Sequence, residues 1–102
     1  MAIMLEDRQR EEILNYCKVF VPEAEVFVFG SRATGNATAR SDLDLALKAS
    51  TALPLEKIYQ LKNVFINSNL PFRVDIVDLN AVSSDFRVVI DAQALPLTSG
   101  TQ

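Results

Sequence analysis

Apolar residues recur along the chain at two spacings, one typical of helices and one typical of strands. Residues 6–20 carry apolar side chains at helical spacing, and Pro22 ends that helix. Residues 25–29 are apolar on both faces, as expected of a strand buried between two layers. Residues 31–40 are rich in small and polar types and predict a loop with at most one weak helical turn. Residues 42–48 alternate between polar and apolar positions and predict a second strand.

The later part of the chain predicts a helix, a strand and a further helix. Residues 54–67 open on a proline and have apolar residues at helical spacing. A third strand follows at residues 72–79, and Ser83 or Ser84 caps a last helix that ends near residue 93. The predicted order is therefore α-β-β-α-β-α in an α/β (α+β) domain. Because a helix connects the second strand to the third, we expect these strands to be parallel, with a right-handed connection.

Length and charge restrict the classes of function that fit the chain. Its 102 residues correspond to one domain, which we assign to residues 1–97, followed by a disordered tail at 98–102. Ten basic against thirteen acidic residues give a net charge of −3. That balance argues against direct, sequence-independent DNA binding, which needs clustered Lys and Arg. A small molecule or a protein fits the charge better as a substrate.

The rarest residue types exclude further chemistries. The chain has no histidine, which excludes serine–histidine and cysteine–histidine nucleophiles and zinc sites built on histidine. Its single cysteine, Cys17, falls on the apolar side of the first helix, where we expect a buried, inert thiol. No apolar stretch is long enough to span a membrane, and the N-terminus does not resemble a signal peptide. We therefore expect a cytoplasmic protein without a membrane partner.

Two aspartates follow a Gly-Ser pair at a fixed offset and form the candidate chemical site. Gly30 and Ser31 follow the first predicted strand, and Asp42 and Asp44 lie on one face of the second. Neighbouring carboxylates repel one another unless a positive charge lies between them, and Mg²⁺ binds such oxygens together with substrate phosphates. The Gly-Ser turn can offer N–H groups and a hydroxyl to those phosphates. An exposed alternating strand is the alternative explanation of the two aspartates.

The segments around these residues resemble the signature of the DNA-polymerase-β-type nucleotidyltransferases. The signature is carried by VFVFGSRATG at residues 26–35 and SDLDLAL at 41–47. Two later segments, LPFRVDIVDL at 70–79 and SDFR at 84–87, are similar to the minimal branch of that superfamily. The resemblance covers most of residues 10–93. It implies a single small nucleotidyltransferase domain with a mixed sheet of three or slightly more strands, flanked by helices and with the second strand central.

The resemblance also implies a third carboxylate. On the implied sheet, Asp75 of the third strand lies beside Asp42 and Asp44, and the three aspartates are the expected ligands of two Mg²⁺ ions, or of Mn²⁺. Asp75 is further expected to act as general base, taking the proton of an attacking hydroxyl. A surface ion pair with Arg73 is the alternative for Asp75.

Four residues are the candidate ligands of the nucleotide phosphates: Gly30, Ser31, Arg32 and Ser41. Arg32 and Arg40 are expected in an exposed loop. Both are candidates for contacting phosphate, because guanidinium groups match phosphate oxygens. The alternative for both arginines is to offset the charge of the two aspartates in the metal-free protein. For Ser41 two roles remain open, capping of the loop and orientation of the neighbouring aspartate.

The activity implied by the resemblance is transfer of a nucleoside monophosphate, AMP from ATP, to a hydroxyl. By resemblance, the acceptor is a tyrosine of a cognate HEPN-type toxin, a helical-bundle protein, and the chain is its antitoxin. Because the chain ends soon after the third strand, we expect a partner to supply the acceptor. One alternative is an antitoxin that only binds and occludes its partner. The other is the catalytic subunit of a two-component enzyme that nucleotidylates a small molecule such as an aminoglycoside.

Overall fold

The computed structural model describes residues 3–99, which form four helices and one four-stranded sheet. In chain order the elements are α1 (Asp7–Phe20), β1 (Glu25–Phe29), α2 (Ser31–Thr34), β2 (Leu43–Lys48), α3 (Leu55–Ile66), β3 (Val74–Asp78), α4 (Ser84–Gln93) and β4 (Leu95–Pro96). The strands are arranged in the order β3-β2-β1-β4. Strand β2 is antiparallel to β1 and parallel to β3, whereas β4 is antiparallel to β1. The sheet is therefore mixed, and the parallel pair joined by α3 confirms the predicted crossover.

The predicted elements are all present, with boundaries displaced by up to two residues. Helix α1 begins one residue later than predicted because Glu6 is its N-cap, and the Glu6 N–H donates to Oε1 of Gln9 (3.1 Å). Strand β3 likewise begins two residues later than predicted, at Val74. The weak helical turn predicted after β1 is the short helix α2.

Strand β4 was not predicted individually. It has two residues, one of them a proline, so it carries no alternation that a sequence pattern can register. Its register pairs Phe27 with Pro96 and Val28 with Leu95, which makes it the edge of the sheet next to β1. Thr98 and Ser99 of the predicted tail are described, and the carbonyl of Thr98 accepts from the Arg10 guanidinium (3.5 Å). Residues 100–102 lie outside the described residues, so the tail stays a prediction.

Different helices pack on the two faces of the sheet, and the candidate site lies on the face that α4 covers. Alternate residues of β2, Leu43, Leu45 and Leu47, pack with Ile13 of α1 and Leu61 of α3 in the larger core. The opposite face carries a smaller cluster under α4, formed by Phe29, Ala46, Leu79 and Ile90. Asp44 shares the face of Ala46, so it lies on the side of α4 rather than in the larger core. Within residues 3–99, none of the helices has the length and apolar character that crossing a bilayer requires.

Cys17 lies in the larger core and provides a test of its packing. Its side chain is 2% exposed, and burial raises the pKa of the thiol to about 12. The expectation of a buried thiol is thus confirmed. Because the thiolate is the reactive form, we expect a chromogenic disulfide reagent to modify the native protein at least about a hundredfold more slowly than the denatured protein. Equal rates for the native and denatured protein would contradict this packing.

Candidate functional site

A row of paired residues crosses the sheet where β2 begins. Phe29 of β1 pairs with Asp44 of β2, and Asp44 pairs with Asp75 of β3. Paired residues on adjacent strands project to the same face of a sheet, so both carboxylates lie on the side covered by α4. Two of the predicted site residues are therefore neighbours, although 31 positions separate them in the sequence.

Asp42 lies just before β2 and is linked to this row by Arg73. Nη2 of Arg73 lies 3.4 Å from Oδ2 of Asp42, and its Nε lies 4.0 Å from Oδ1 of Asp75. The backbone reinforces the arrangement, since the Leu43 N–H donates to the carbonyl of Arg73 (2.8 Å). The side chains of Asp42 and Asp75 are 48% and 51% exposed. Asp75 thus pairs with Asp44 across the strands and also lies near Arg73, so the ion pair with Arg73 is observed, and the role of Asp75 as metal ligand and general base stays a prediction.

Asp44 is the least exposed of the three aspartates. Burial raises the pKa of its carboxyl, and the negative charges of Asp75 and Asp42 raise it further. A carboxylate in this environment is stabilised by any added positive charge. The electrostatics of the row therefore favour a bound cation.

Gly30 follows β1 directly and lies against Asp44. Its φ is 75°, in the left-handed region that favours glycine. A Cβ at this position would overlap Oδ2 of Asp44 and would come within 3.2 Å of its Cγ. The backbone turn and the carboxylate therefore approach as closely as they do only because the residue has no side chain.

Gln93, at the end of α4, also belongs to this turn, and sequence reasoning missed it. Its Oε1 accepts a hydrogen bond from the Gly30 N–H (3.0 Å). No local motif marks a residue 63 positions away, and only the packing of α4 on the sheet brings the two together. Since the Gly30 N–H is already bonded, Ser31 is the better-placed donor to a phosphate. Ser31 opens α2, and an N–H at that position has no partner within the helix.

Arg32 is not in an exposed loop, so that prediction is wrong. Its side chain is 2% exposed, and the guanidinium lies 4.1 Å above the ring centroid of Phe72. It donates to three backbone carbonyls, with Nε to Ser41 (2.9 Å), Nη1 to Met4 (2.7 Å) and Nη2 to Ala39 (3.0 Å). Burial lowers the pKa of Arg32, and the negative charge of Asp42 partly opposes this lowering. These contacts commit the guanidinium to the fold rather than to a phosphate.

The remaining candidate residues divide between the loop and the surface. The Oγ of Ser41 accepts from the Thr38 N–H (2.8 Å), so of its two suggested roles loop capping is the one observed. Arg40 is exposed, as predicted.

Comparison with known proteins identifies the family. The family described as "Polymerase beta, Nucleotidyltransferase" matches residues 11–99. The chain belongs to this nucleotidyltransferase family. A curated relative from Haemophilus influenzae, named "Probable protein adenylyltransferase MntA", is 44% identical over 70 residues, which are 69% of this chain and 61% of that protein. The chain thus spans about three-fifths of the length of this relative.

Solved structures share the nucleotidyltransferase fold. A protein assigned as a minimal nucleotidyltransferase is 34% identical with a TM-score of 0.69, and the match covers 88% of this chain and 90% of that one. A chain of a toxin–antitoxin crystal structure with AMP-PNP is 25% identical with a TM-score of 0.73, covering 89% and 73%. A tri-AMPylated Shewanella oneidensis HEPN toxin in complex with an MNT antitoxin contains a chain that matches in fold, with a TM-score of 0.67, 23% identity and coverage of 89% and 70%.

Nucleotidyltransferases of this family generally use divalent metal ions. Asp42, Asp44 and Asp75, here called the carboxylate row, have oxygens of the type that such ions bind. Within residues 3–99, no group of three or more Asp, Glu or Cys side chains is arranged to hold a metal by itself. The assignment of Asp42, Asp44 and Asp75 as metal ligands therefore stays a prediction.

The approach of Gly30 to Asp44 generates a test by stability. We expect Gly30→Ala to lose about 1–3 kcal/mol from its backbone conformation (φ 75°, ψ −156°) and a further amount from the overlap with Asp44. Asp44→Ala removes the overlapping carboxylate, so Gly30→Ala made in that background is the matched control for the backbone cost alone. Denaturant unfolding measures the loss from Gly30→Ala with and without Asp44→Ala. Equal losses in the two backgrounds would contradict a specific contact between Gly30 and Asp44.

Proposed function

We propose that this chain transfers AMP from ATP to a protein hydroxyl, and that the acceptor is a tyrosine of a HEPN-type toxin that the modification silences. The observation that carries the proposal is the pairing of Asp44 with Asp75 across β2 and β3, with Gly30 against Asp44. This pairing lies in a nucleotidyltransferase fold. The alternation and register of the strands bring the two carboxylates together. Gly30 lets the turn after β1 lie directly against one of them, Asp44.

Binding of ATP uses the turn after β1 and the carboxylates at the start of β2. The N–H and hydroxyl of Ser31 donate to the triphosphate, and Gly30, which has no side chain, lets the carboxylate of Asp44 lie against this turn. Asp42, Asp44 and Asp75 hold divalent cations, Mg²⁺ or Mn²⁺, together with those oxygens. When bound, the cations neutralise charge on the triphosphate and lower the pKa of the acceptor hydroxyl.

The reaction is an in-line displacement at the α-phosphorus. The oxygen of the acceptor hydroxyl forms a bond to this phosphorus, while the bond to the oxygen that bridges to the β-phosphate breaks and pyrophosphate leaves. Asp75 accepts the proton of the hydroxyl as general base. Because its side chain is about half exposed, an acceptor on another protein can reach it.

The nature of the acceptor is supported by the relatives. One is named as a protein adenylyltransferase, and two structural neighbours come from toxin–antitoxin complexes, one with AMP-PNP and one with an AMPylated HEPN toxin. The open side of the carboxylate row suits a protein acceptor, since a partner that covers it also excludes the water that would compete with the hydroxyl.

The decisive experiment combines the chain, its HEPN partner, Mg²⁺ and ATP labelled in the α-phosphate. Label on a partner tyrosine, mapped by mass spectrometry and lost in the matching Tyr→Phe partner, would support the proposal. Label on an added aminoglycoside and none on protein would favour the small-molecule enzyme. Inhibition of the partner without any label would favour an antitoxin that acts by occlusion.

Transfer should depend on Asp42 and Asp44 together. The double variant Asp42→Asn, Asp44→Asn keeps the side-chain shapes and removes two charges from the cation site, so we expect transfer to fall by about a hundredfold or more. Labelled-ATP transfer to the partner measures this loss. Transfer at the rate of the unmodified chain would refute a catalytic role for the pair.

The stability of the single variant Asp44→Asn tests whether loss of the Asp44 charge unfolds the protein. The folded-state pKa of Asp44 is raised, so its ionised form destabilises the metal-free protein at every pH above that value. Asp44→Asn removes this cost, and because water screens the half-buried carboxyl we expect a gain of about 0.5 kcal/mol at neutral pH. The gain should disappear as the pH falls below about 3.8, the ordinary pKa of the group.

Asp75 should affect turnover more than nucleotide binding. Asp75→Asn removes the general base, so we expect kcat to fall by about a hundredfold while KM for ATP changes by less than about threefold. Steady-state kinetics with the partner as acceptor measure the two constants. If ATP binding weakens as much as kcat falls, Asp75 is a metal ligand without a role as base. If neither constant changes, only the surface pair with Arg73 remains for Asp75.

A further inference from the structure

Arg73 is paired with two of the three carboxylates to which the proposed function assigns the metal. Its Nη2 lies 3.4 Å from Asp42 and its Nε lies 4.0 Å from Asp75. One guanidinium thus supplies positive charge to both Asp42 and Asp75. Arg32, the other arginine that interacts with Asp42, is committed to backbone carbonyls by its three hydrogen bonds.

The two ion pairs of Arg73 are weak and can break and re-form. Its side chain is 74% exposed, and exposed ion pairs at these distances are weak and easily screened. The backbone of Arg73 is fixed, because its carbonyl accepts from the Leu43 N–H (2.8 Å) next to the paired strands β2 and β3. Movement of this residue is therefore confined to the side chain, which can leave the carboxylates without any change in the sheet.

We propose that Arg73 is a displaceable counter-cation of the carboxylate row, which a divalent metal ion must drive from Asp42 and Asp75 in order to bind. The inference rests on the proposed function in taking these aspartates, with Asp44, as the metal ligands. Arg73 then lowers the affinity of the site for free metal. The triphosphate brings further oxygen ligands, so metal and nucleotide together overcome the competition that metal alone meets.

The test measures binding of Mn²⁺ alone, without nucleotide or partner, from the electron paramagnetic resonance signal of free Mn²⁺. We expect Arg73→Gln to lower the Kd about two- to fivefold, because two weak ion pairs no longer compete with the metal. Arg40→Gln is the matched control. Arg40 is exposed, lies two residues before Asp42 and forms no ion pair within residues 3–99, so this variant removes the same charge without breaking a pair. Its Kd should stay closer to that of the unmodified chain.

Thermal unfolding supplies a second readout. Without metal, Arg73→Gln should unfold at a lower temperature than the unmodified chain, since less positive charge then offsets the repulsion among the three aspartates. Saturating Mn²⁺ should raise its unfolding temperature by more than it raises that of the unmodified chain.

The outcomes separate this inference from the proposed function. Equal Kd values for Arg73→Gln and Arg40→Gln, or weaker binding by Arg73→Gln, would overturn the role of Arg73 and leave the aspartates as metal ligands. Unchanged Mn²⁺ binding by the double variant Asp42→Asn, Asp44→Asn would overturn the assignment of the ligands, and the role of Arg73 with it.

Discussion

A guanidinium group buried among backbone carbonyls holds together the segments that meet at the candidate site. Arg32 bonds to the carbonyl of Met4 ahead of α1 and to two carbonyls of the loop before β2, and it lies on the ring of Phe72 ahead of β3. Removing such a charge from water is costly, and the charge-assisted hydrogen bonds offset that cost only while all three segments stay in place. The backbone that leads to Asp42 and the backbone that leads to Arg73 are thus anchored to one group.

The carboxylate row shows why this anchoring is needed. Burial of Asp44 and the negative charges of Asp75 and Asp42 raise the pKa of the Asp44 carboxyl, so its ionised form opposes folding. The surrounding structure over-determines the arrangement through the strand register, the glycine turn and the side chain of Gln93. Local energetic conflict of this kind is expected where a site is arranged for a ligand rather than for stability.

The parts of this architecture that were predictable are those with a local signal. Helix α3 and strand β2 follow from apolar spacing, and the helical connection predicts that β2 and β3 are parallel. The sheet implied by the family resemblance adds that Asp75 lies near Asp44. The burial of Arg32 had no such signal, since an arginine in a polar loop looks exposed until distant carbonyls are known to surround it. The same holds for Gln93, whose partner Gly30 lies in another element. Long-range polar contacts depend on tertiary packing, which periodicity and propensity do not encode.

The hydrogen bond between Gln93 and the Gly30 turn has a consequence for synthesis on the ribosome. The Gly30 turn, Asp42 and Asp44 emerge early, but the residue that closes the turn is 63 positions further along the chain. Chains are made from the N-terminus, and elements close to one another in sequence can associate before synthesis ends. The Gly30 turn can therefore be closed only after residue 93 has emerged, together with strand β4 and with Leu97, which completes the larger core. Closure of this turn thus belongs to the last stage of folding.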